Sequence, residues 1–545
     1  MTYFIIVELI IFAFLLVVTR HSFHRGRYYL HIFQQKGYKP KEYWSYVRGT
    51  NLGAFVTTSH LYVVPLFLIG FAENMLTPTS FALLLSIFGI GFFLPIGYIS
   101  SDKPKKPLAY TPRLKRQLAV LIVLYLAIVM TGVNLGFSFR VFLPDITIMA
   151  LFWLIADMTM PLLVLLSAFF TKPIENRIQE GFKTKARQRI ASMPDLKIIA
   201  ITGSYGKTSV KFMVKTLLEE RFSVCFTPGS FNTPMGICKV INNDLQAHHQ
   251  ILVLEMGARY RGNIAELCDI ARPHVAIVTN VGKAHLETFG SVEVIAKTKG
   301  ELLQGLRKGG VAVLNSDDER VNGMPLRDDI SVIRAGMNTG MFEVSNVSYG
   351  RAGCTFTLAD SSGNAAEVQT RLLGEHTIRN LLLAFGTAHH FGLRLQTMAI
   401  AASRIEPVEH RLELKPAGPI TIIDDAFNSN PVGARNAVDV LAQFTGGRRI
   451  IITPGMVELG EREAEENRAW GEHIGRSNID LVWLVGEQRT KPIVAGLKDA
   501  GFPEENVRVF NSFFDARDYL NREQKEGDVV LLENDLPDVY NEKPA

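Results

Sequence analysis

Apolar residues are arranged in two different ways along this chain, and the change comes near Lys172. Before it they run in long stretches, about Tyr3–Thr19, Leu52–Ala72, Ser80–Ser100, Gln117–Phe139 and Ile146–Phe170. A helix crossing a bilayer needs about 20 mostly apolar residues, so the pattern predicts five membrane spans. A cleaved signal peptide explains the first stretch less well, because no basic segment precedes it and no small-residue cleavage site follows. After Lys172 the sequence becomes charged and glycine-punctuated, as in an ordinary globular enzyme. At 545 residues the chain is long enough for two to four domains.

The segments between the apolar runs alternate in charge. Arg20–Arg48 carries seven Lys and Arg, Ser101–Arg116 carries six and Thr171–Arg189 is similarly basic, whereas Glu73–Thr79 carries none and Arg140–Asp145 one. The positive-inside rule then places the N-terminus outside and everything after Phe170 in the cytoplasm of a cell with an inner membrane. Ionisable side chains are costly inside a span, which singles out Glu8, His60 and Asp157. Asp157, near the middle of the fifth run, is the best placed of these for a substrate-facing role.

Thr171–Met193 reads as a basic helical connector. Leu196–Thr202 is a short β-branched run, followed by Gly203-Ser204-Tyr205-Gly206-Lys207-Thr208-Ser209 and a helical pattern over Val210–Arg221. Strand, glycine turn and helix is the geometry that cradles phosphates: backbone N–H groups and the helix start face the anion, Lys207 neutralises charge, and the Thr208 hydroxyl can hold magnesium. Glu255, at the end of the apolar run Leu252–Glu255, is a second oxygen ligand suited to that ion.

Composition adds exclusions. The net charge of +5 gives no basis for nucleic-acid binding. Mean hydropathy is +0.14, high for a soluble enzyme because of the first third. Cys225, Cys238, Cys268 and Cys354 form no CxxC pair and sit in apolar runs, as reduced structural cysteines do.

The TGSxGKTS form of the loop resembles that of the Mur ligase family. So do Gly229–Gly236, Leu252–Ala258, Val278–Glu287, Ala296–Glu301, Leu314–Asp318, Gly374–Asn380 and His410–Glu413, in order, over about Leu196 to Asp528. Ile423–Pro431 and Thr453–Gly460 are similar to the branch that adds D-alanyl-D-alanine. The resemblance implies ATP contacts at Gly203, Ser204, Gly206, Lys207, Thr208, Ser209, His376, Asn380, Arg411 and Asp425. It implies catalytic roles for Lys207, Glu255, His285 and Lys299. Thr208, Glu255, His285 and a carbamylated Lys299 would hold two Mg2+ ions, and Asn232, Asn428, Asn430 and Glu458 would meet the substrates. The partners it implies are ATP, a muramyl-peptide carboxylate and a short peptide or amino-acid amine, with the lipid bilayer added by the apolar third.

The expected architecture is a membrane domain of five helices (1–170), the connector (171–193), a P-loop mononucleotide-binding α/β domain (194–410) and a Rossmann-like α/β domain (411–545). The expected reaction is phosphorylation of a carboxylate by ATP, then attack of an amine to give an amide. Asn315 and Asp317 fit either a nucleotide contact or a turn. The chain departs from the family at Thr377 (usually Asn), at His410 (commonly Gly) and at Leu532-Glu533-Asn534-Asp535-Leu536, where the family has a basic KGSR-like stretch. The family's UDP-sugar-binding domain is also replaced by the apolar third. Two rival readings follow: the same chemistry on a lipid-linked or other cell-surface substrate, and a membrane-tethered nucleotide-binding scaffold without catalysis.

Overall fold

The computed structural model describes residues 2–49, 55, 60, 107–138, 145–283, 286–350, 353–427 and 429–536. It divides into two compact units, Met1–Gln179 and Glu180–Ala545.

The described part of the first unit is helical: Thr2–Gln35, Pro40–Gly49, Pro112–Ser138, Asp145–Met158, and Met160–Ala191, which continues past Gln179. The expected loop Arg20–Arg48 is therefore mostly helix, and the connector continues a helix that begins at Met160. Among the described residues, Pro112–Leu135 is long and apolar enough to cross a membrane. The expected fifth span is not a single rod: it breaks at Thr159, with Leu151–Met158 and Met160–Ala191 bent by 68°. Leu52–Ala72 and Ser80–Ser100 lie outside the described residues except for Phe55 and His60.

Asp157 is fully buried; its carboxylate bonds Ser22 Oγ at 2.8 Å and His60 Nε2 at 2.7 Å and forms an ion pair with Arg25 Nε at 3.1 Å. Tyr125 and Trp153 each reach Ser22 Oγ at 3.1 Å. The carboxylate expected to face a substrate is thus engaged by neighbouring side chains, as a buried charge requires.

The second unit holds two six-stranded sheets and a three-stranded one. The strands are β1 (Lys197–Thr202), β2 (Val224–Phe226), β3 (Ile251–Glu255), β4 (Val275–Val278), β5 (Val311–Asn315), β6 (Ser331–Ala335), β7 (Phe342–Gly350), β8 (Gly353–Asp360), β9 (Ala365–Thr370), β10 (Glu413–Ala417), β11 (Ile420–Asp425), β12 (Arg449–Thr453), β13 (Leu481–Val485), β14 (Val507–Phe510) and β15 (Val529–Glu533). The first sheet runs β2-β3-β1-β4-β5-β6, all parallel. The last runs β10-β11-β15-β12-β13-β14, antiparallel only at β10. The antiparallel β7-β8-β9 sheet packs in one core with helix Leu395–Ala402.

Side-chain alternation explains why both large sheets are covered on two faces. Ile199, Ile201, Val253, Ile277 and Val313 pack against helices Lys207–Leu218 and Glu375–His390. Ile198, Ala200, Leu252, Leu254 and Ala276 pack against helices Pro234–Asn243, Asn263–Ala271 and Val292–Gln304. Each such side chain, fully buried, contributes about 1.5–3 kcal/mol. Parallel register brings Thr202, Glu255 and Val278 to one carboxyl edge, where open α/β sheets bind their ligands. In the last sheet, register sets Asp425 beside Glu533 at the corresponding edge. The four cysteines are buried and unbridged.

Trp470 anchors the last domain's core at 0% exposure, yet its indole N–H has no hydrogen-bond partner among the described residues. Trp470→Phe therefore loses no bond and is expected to cost under about 1.5 kcal/mol, whereas Trp470→Ala costs about 3–5 kcal/mol. Urea unfolding followed by far-UV circular dichroism distinguishes the two. A Phe variant as damaging as the Ala variant would show that the indole N–H matters.

Candidate functional site

The loop after β1 holds its shape through the end of β4. Gly203 has φ +151° and Gly206 φ +76°; a Cβ at the first would lie 1.9 Å from Thr279 Oγ1 and at the second 2.7 Å from Asn380 Oδ1. Neither position tolerates a side chain. The Tyr205 carbonyl accepts from Thr279 Oγ1 at 2.5 Å and Asn280 Nδ2 at 3.2 Å, and its N–H donates to Asn280 Oδ1 at 2.9 Å. Ser204 Oγ is bound to the backbone of Gly282. Lys207 opens helix Lys207–Leu218 and folds its ammonium onto the Gly203 and Ser204 carbonyls at 2.8 and 3.1 Å. Burial lowers its pKa to about 8; Glu255 opposes the shift and Arg411 adds to it.

Glu255, 1% exposed at the tip of β3, is the floor of the site. Its Oε2 accepts from Thr208 Oγ1 at 2.9 Å and Lys211 Nζ at 3.2 Å, and its Oε1 from Asn232 Nδ2 at 2.9 Å. Burial pushes the carboxyl up, but Lys207 and Lys211 more than offset this and hold it below the ordinary glutamate value. Lys299 is buried nearby in helix Val292–Gln304, and burial, followed by the Lys207 charge, lowers its pKa well below that of a free lysine. Arg411 Nη2 reaches Thr208 Oγ1 at 3.4 Å, and its guanidinium stacks on Phe427 at 4.5 Å.

A cleft of about 810 Å³ is lined by Tyr205, Gly206 and Ser209 of this loop and helix and by His376, Asn380, Arg411 and Asp425 among others. The Mur ligase middle domain matches residues 201–388, and the Mur ligase glutamate ligase domain matches 410–533. The UDP-N-acetylmuramoyl-tripeptide–D-alanyl-D-alanine ligase of Mycobacterium leprae is 33% identical over 368 residues, 62% of this chain and 70% of that protein. The chain belongs to the Mur ligase family. The Mycobacterium tuberculosis (strain ATCC 25618 / H37Rv) protein of the same name is 38% identical over 306 residues, 54% of this chain and 59% of that protein, so the chain spans under two thirds of its length. Among solved structures, the MurF ligase of Thermotoga maritima in complex with ADP matches with a TM-score of 0.58 and 26% identity, covering 65% of this chain and 80% of that one.

Within this Mur ligase fold, His376, Asn380 and Arg411 line one cleft with Gly206 and Ser209 of the loop, while Glu255 bonds Thr208 and Lys299 lies buried in its own helix. His376, on helix Glu375–His390, leaves Nδ1 buried beside the cleft with no hydrogen-bond partner among the described residues, and burial lowers its pKa to about 4. Asn232 turns to Glu255 rather than to open space. Asn430 lines the cleft but spends Oδ1 capping helix Pro431–Ala442 through Gly433 N at 2.9 Å. Glu458 does not line this cleft; its Oε1 lies 3.5 Å from Arg259. Asn315 and Asp317 build a turn: Asn315 Oδ1 accepts from Asp317 N at 3.0 Å, and Asp317 accepts from Met337 N at 2.8 Å. His285 and Asn428 lie outside the described residues. The departures also have local causes. His410 has φ +59°, where glycine is at ease, and holds that backbone with an Nδ1–Asp424 bond of 2.8 Å. Thr377 bonds its hydroxyl to the Leu373 carbonyl at 2.8 Å.

Two functional contacts are absent from the sequence reading. Lys211, fully buried on the sheet-facing side of its helix, neutralises Glu255; a lysine amid Val210, Met213 and Val214 was the available signal. Lys283 pairs with buried Glu466 at 2.5 Å, joining the central domain to the last one across the cleft, and no local pattern announces it.

Lys211→Met removes one of the two cations that hold Glu255 ionised. A carboxyl held low loses its charge as pH falls through its folded value, so raising that value moves the loss to higher pH. The acid limb of the pH profile of ATP turnover is expected to shift upward in this variant. An unshifted limb would mean Lys211 does not set the charge of Glu255.

Proposed function

We propose that this chain is an ATP-dependent amide ligase that joins D-alanyl-D-alanine, or a similar short peptide, to the carboxylate of a muramyl peptide in cell-wall precursor synthesis. The observation that carries this reading is Thr208, at the end of the phosphate loop, meeting Glu255 at 2.9 Å and Arg411 of the last domain at 3.4 Å, with Lys207 and a buried Lys299 within electrostatic reach of Glu255. A scaffold that only bound nucleotide would not need a buried carboxylate with a hydroxyl 2.9 Å away and a neighbouring buried lysine.

The donor set fits a hard divalent cation: Thr208 and Glu255 offer paired oxygens beside the loop, as magnesium prefers. Magnesium bound there would offset charge on the transferring phosphoryl group. The chain's residues supply the rest. Lys207, with Arg411 closing from the other domain, holds the γ-phosphate in line with the substrate carboxylate. The carboxylate oxygen takes the phosphoryl group to form an acyl phosphate, with ADP leaving. The amine then attacks the acyl carbon and phosphate departs. Burial favours the neutral amine of Lys299, the form that reacts with carbon dioxide to give a carbamate, which would bind a second cation.

A second reading, the same chemistry on a lipid-linked donor, has its own support. Pro112–Leu135 has only 11% of its most apolar window buried, and Ile122, Val123, Leu126 and Met130 are exposed along it. A core helix of a soluble protein would hide these side chains; a bilayer covers them. We therefore place the first unit in the inner membrane, N-terminus outside, with the ligase unit cytoplasmic.

Lys207→Ala is expected to lower ligation by about 10²-fold or more, from loss of about 3 kcal/mol of charge-assisted contact. Phosphate release with UDP-muramyl tripeptide, run beside the lipid-linked equivalent, reads this out; unchanged turnover would remove the loop from catalysis. Reporter fusions test placement: a reporter after Ala545 should lie inside and one within Glu73–Thr79 outside. Both on one side would reject the topology.

A further inference from the structure

A second cavity, of about 1270 Å³, lies in the central domain beside the nucleotide cleft, with which it shares Val292 and Arg320. Its walls are helices Asn263–Ala271 and Val292–Gln304, residues of the segment Arg320–Pro325, and Ala191, the last residue of helix Met160–Ala191. The interior is apolar. Ala265, Ala296, Gly300, Cys268, Leu306 and Met324 line it, and the last three are buried. A Cβ on Gly300 would meet only Met324 Sδ, at 3.9 Å, so a side chain there would enter open space. Burial, with a smaller push from Glu301, raises the Cys268 thiol to about 12, as in a wall withdrawn from water.

The rim is charged and unbalanced. Arg272, Lys297, Arg307, Lys308 and Arg320 set five cations around the cavity against the three acids Asp269, Glu293 and Glu301. Those acids are engaged by their own surroundings. Asp269 pairs with Arg187 at 2.5 Å, and Glu301 accepts from the Gly262 and Ala265 N–H groups at 2.8 and 3.0 Å. Glu293 is held below the ordinary glutamate range first by its own backbone N–H and the Ser291 hydroxyl, with smaller contributions from Arg320 and Lys297. None of the five cations forms an ion pair among the described residues; Arg307 Nε donates to the Arg272 carbonyl at 2.7 Å.

We propose that this cavity binds a lipid phosphate, with the apolar chain between the two helices and the phosphate at the cationic rim. Five cations facing three engaged acids suit a ligand that brings one or two negative charges. A peptide does not fit the interior: helices spend their backbone N–H and C=O groups within themselves and would leave those of a peptide unsatisfied. A hydrocarbon chain makes no such demand. The source is the bilayer, because the helix that ends in this wall at Ala191 begins at Met160, in the unit we place in the membrane. The lipid rests on the helix that carries the buried Lys299, so the site adjoins the ligase centre without depending on the ligase reading.

The test uses the full chain in dodecyl maltoside and tritiated farnesyl phosphate, with binding counted above empty micelles. Farnesol and inorganic phosphate serve as competitors. Farnesyl phosphate is expected to bind at least about tenfold more tightly than either, since each competitor offers only half of the recognition. Lys297→Glu or Lys308→Glu should weaken it about tenfold and leave farnesol unaffected. Gly300→Leu should exclude both prenyl compounds by filling the interior, and Ala296→Leu replaces it if that variant does not fold. Farnesol binding as tightly as its phosphate, or inorganic phosphate competing equally, would overturn the proposal. So would farnesyl phosphate binding that none of these substitutions changes, which would place the ligand elsewhere on the chain.

Discussion

The buried ion pair between Glu255 and Lys211 is the contact on which the nucleotide site depends. A phosphate loop must point bare N–H groups at an anion, so its charge balance has to be set from beneath. Glu255, at the tip of a central strand, would repel phosphate if left as a lone buried charge. Lys211, four residues after Lys207, absorbs that charge while Thr208 and Asn232 fix the direction of the two carboxylate oxygens. Lys207 is thereby left directed at the loop rather than captured by the acid below it. Truncating either partner would cost more than the pair contributes, because the survivor stays buried and unpaired.

The same floor links the two α/β domains. Arg411 reaches Thr208 from a backbone bent through His410 and Leu412, both at positive φ. Such conformations cost about 1–3 kcal/mol each in residues other than glycine, and here the His410–Asp424 and Leu412–Asp425 bonds hold them in place. The strain aims the guanidinium at the loop, and the Lys283–Glu466 pair ties the cleft from its other side. A closed cleft is therefore built from a few discrete contacts rather than a broad apolar seam, which suits a site that must open to exchange nucleotide.

How much of this was readable from the sequence follows the range of each interaction. The strand, turn and helix at Leu196–Arg221 were readable because the phosphate loop is a local structure with fixed residue types. The family stretches placed Glu255, Lys299, Asn380 and Arg411 because motifs preserve order as well as identity. Lys211 and the Lys283–Glu466 pair were missed, since a buried lysine and a contact 183 residues apart in sequence are settled only by packing. Asn430 and Glu458, which motif likeness links to the substrates, also carry local structure that motifs do not announce: Asn430 caps a helix, and Glu458 lies 3.5 Å from Arg259. In the first third, hydropathy found helical segments but not the break at Thr159, which leaves no signature in a count of apolar residues.

Three buried carboxylates show how differently this chain treats such a group. Asp157 is surrounded by partners, with Arg25, His60 and Ser22 all directed at it, so its charge is balanced from several helices and segments at once. Glu255 is also neutralised, but by groups that belong to the phosphate loop and its helix, so its satisfaction doubles as the organisation of a site. Glu533 accepts from Ser429 with one oxygen and stands in register beside Asp425, where burial and then the neighbouring carboxyl push it well above its ordinary range and favour its protonated form. The three differ in what balances the charge: surrounding donors for Asp157, the lysine of the phosphate-loop helix for Glu255, and a proton shared with a neighbouring acid for Glu533.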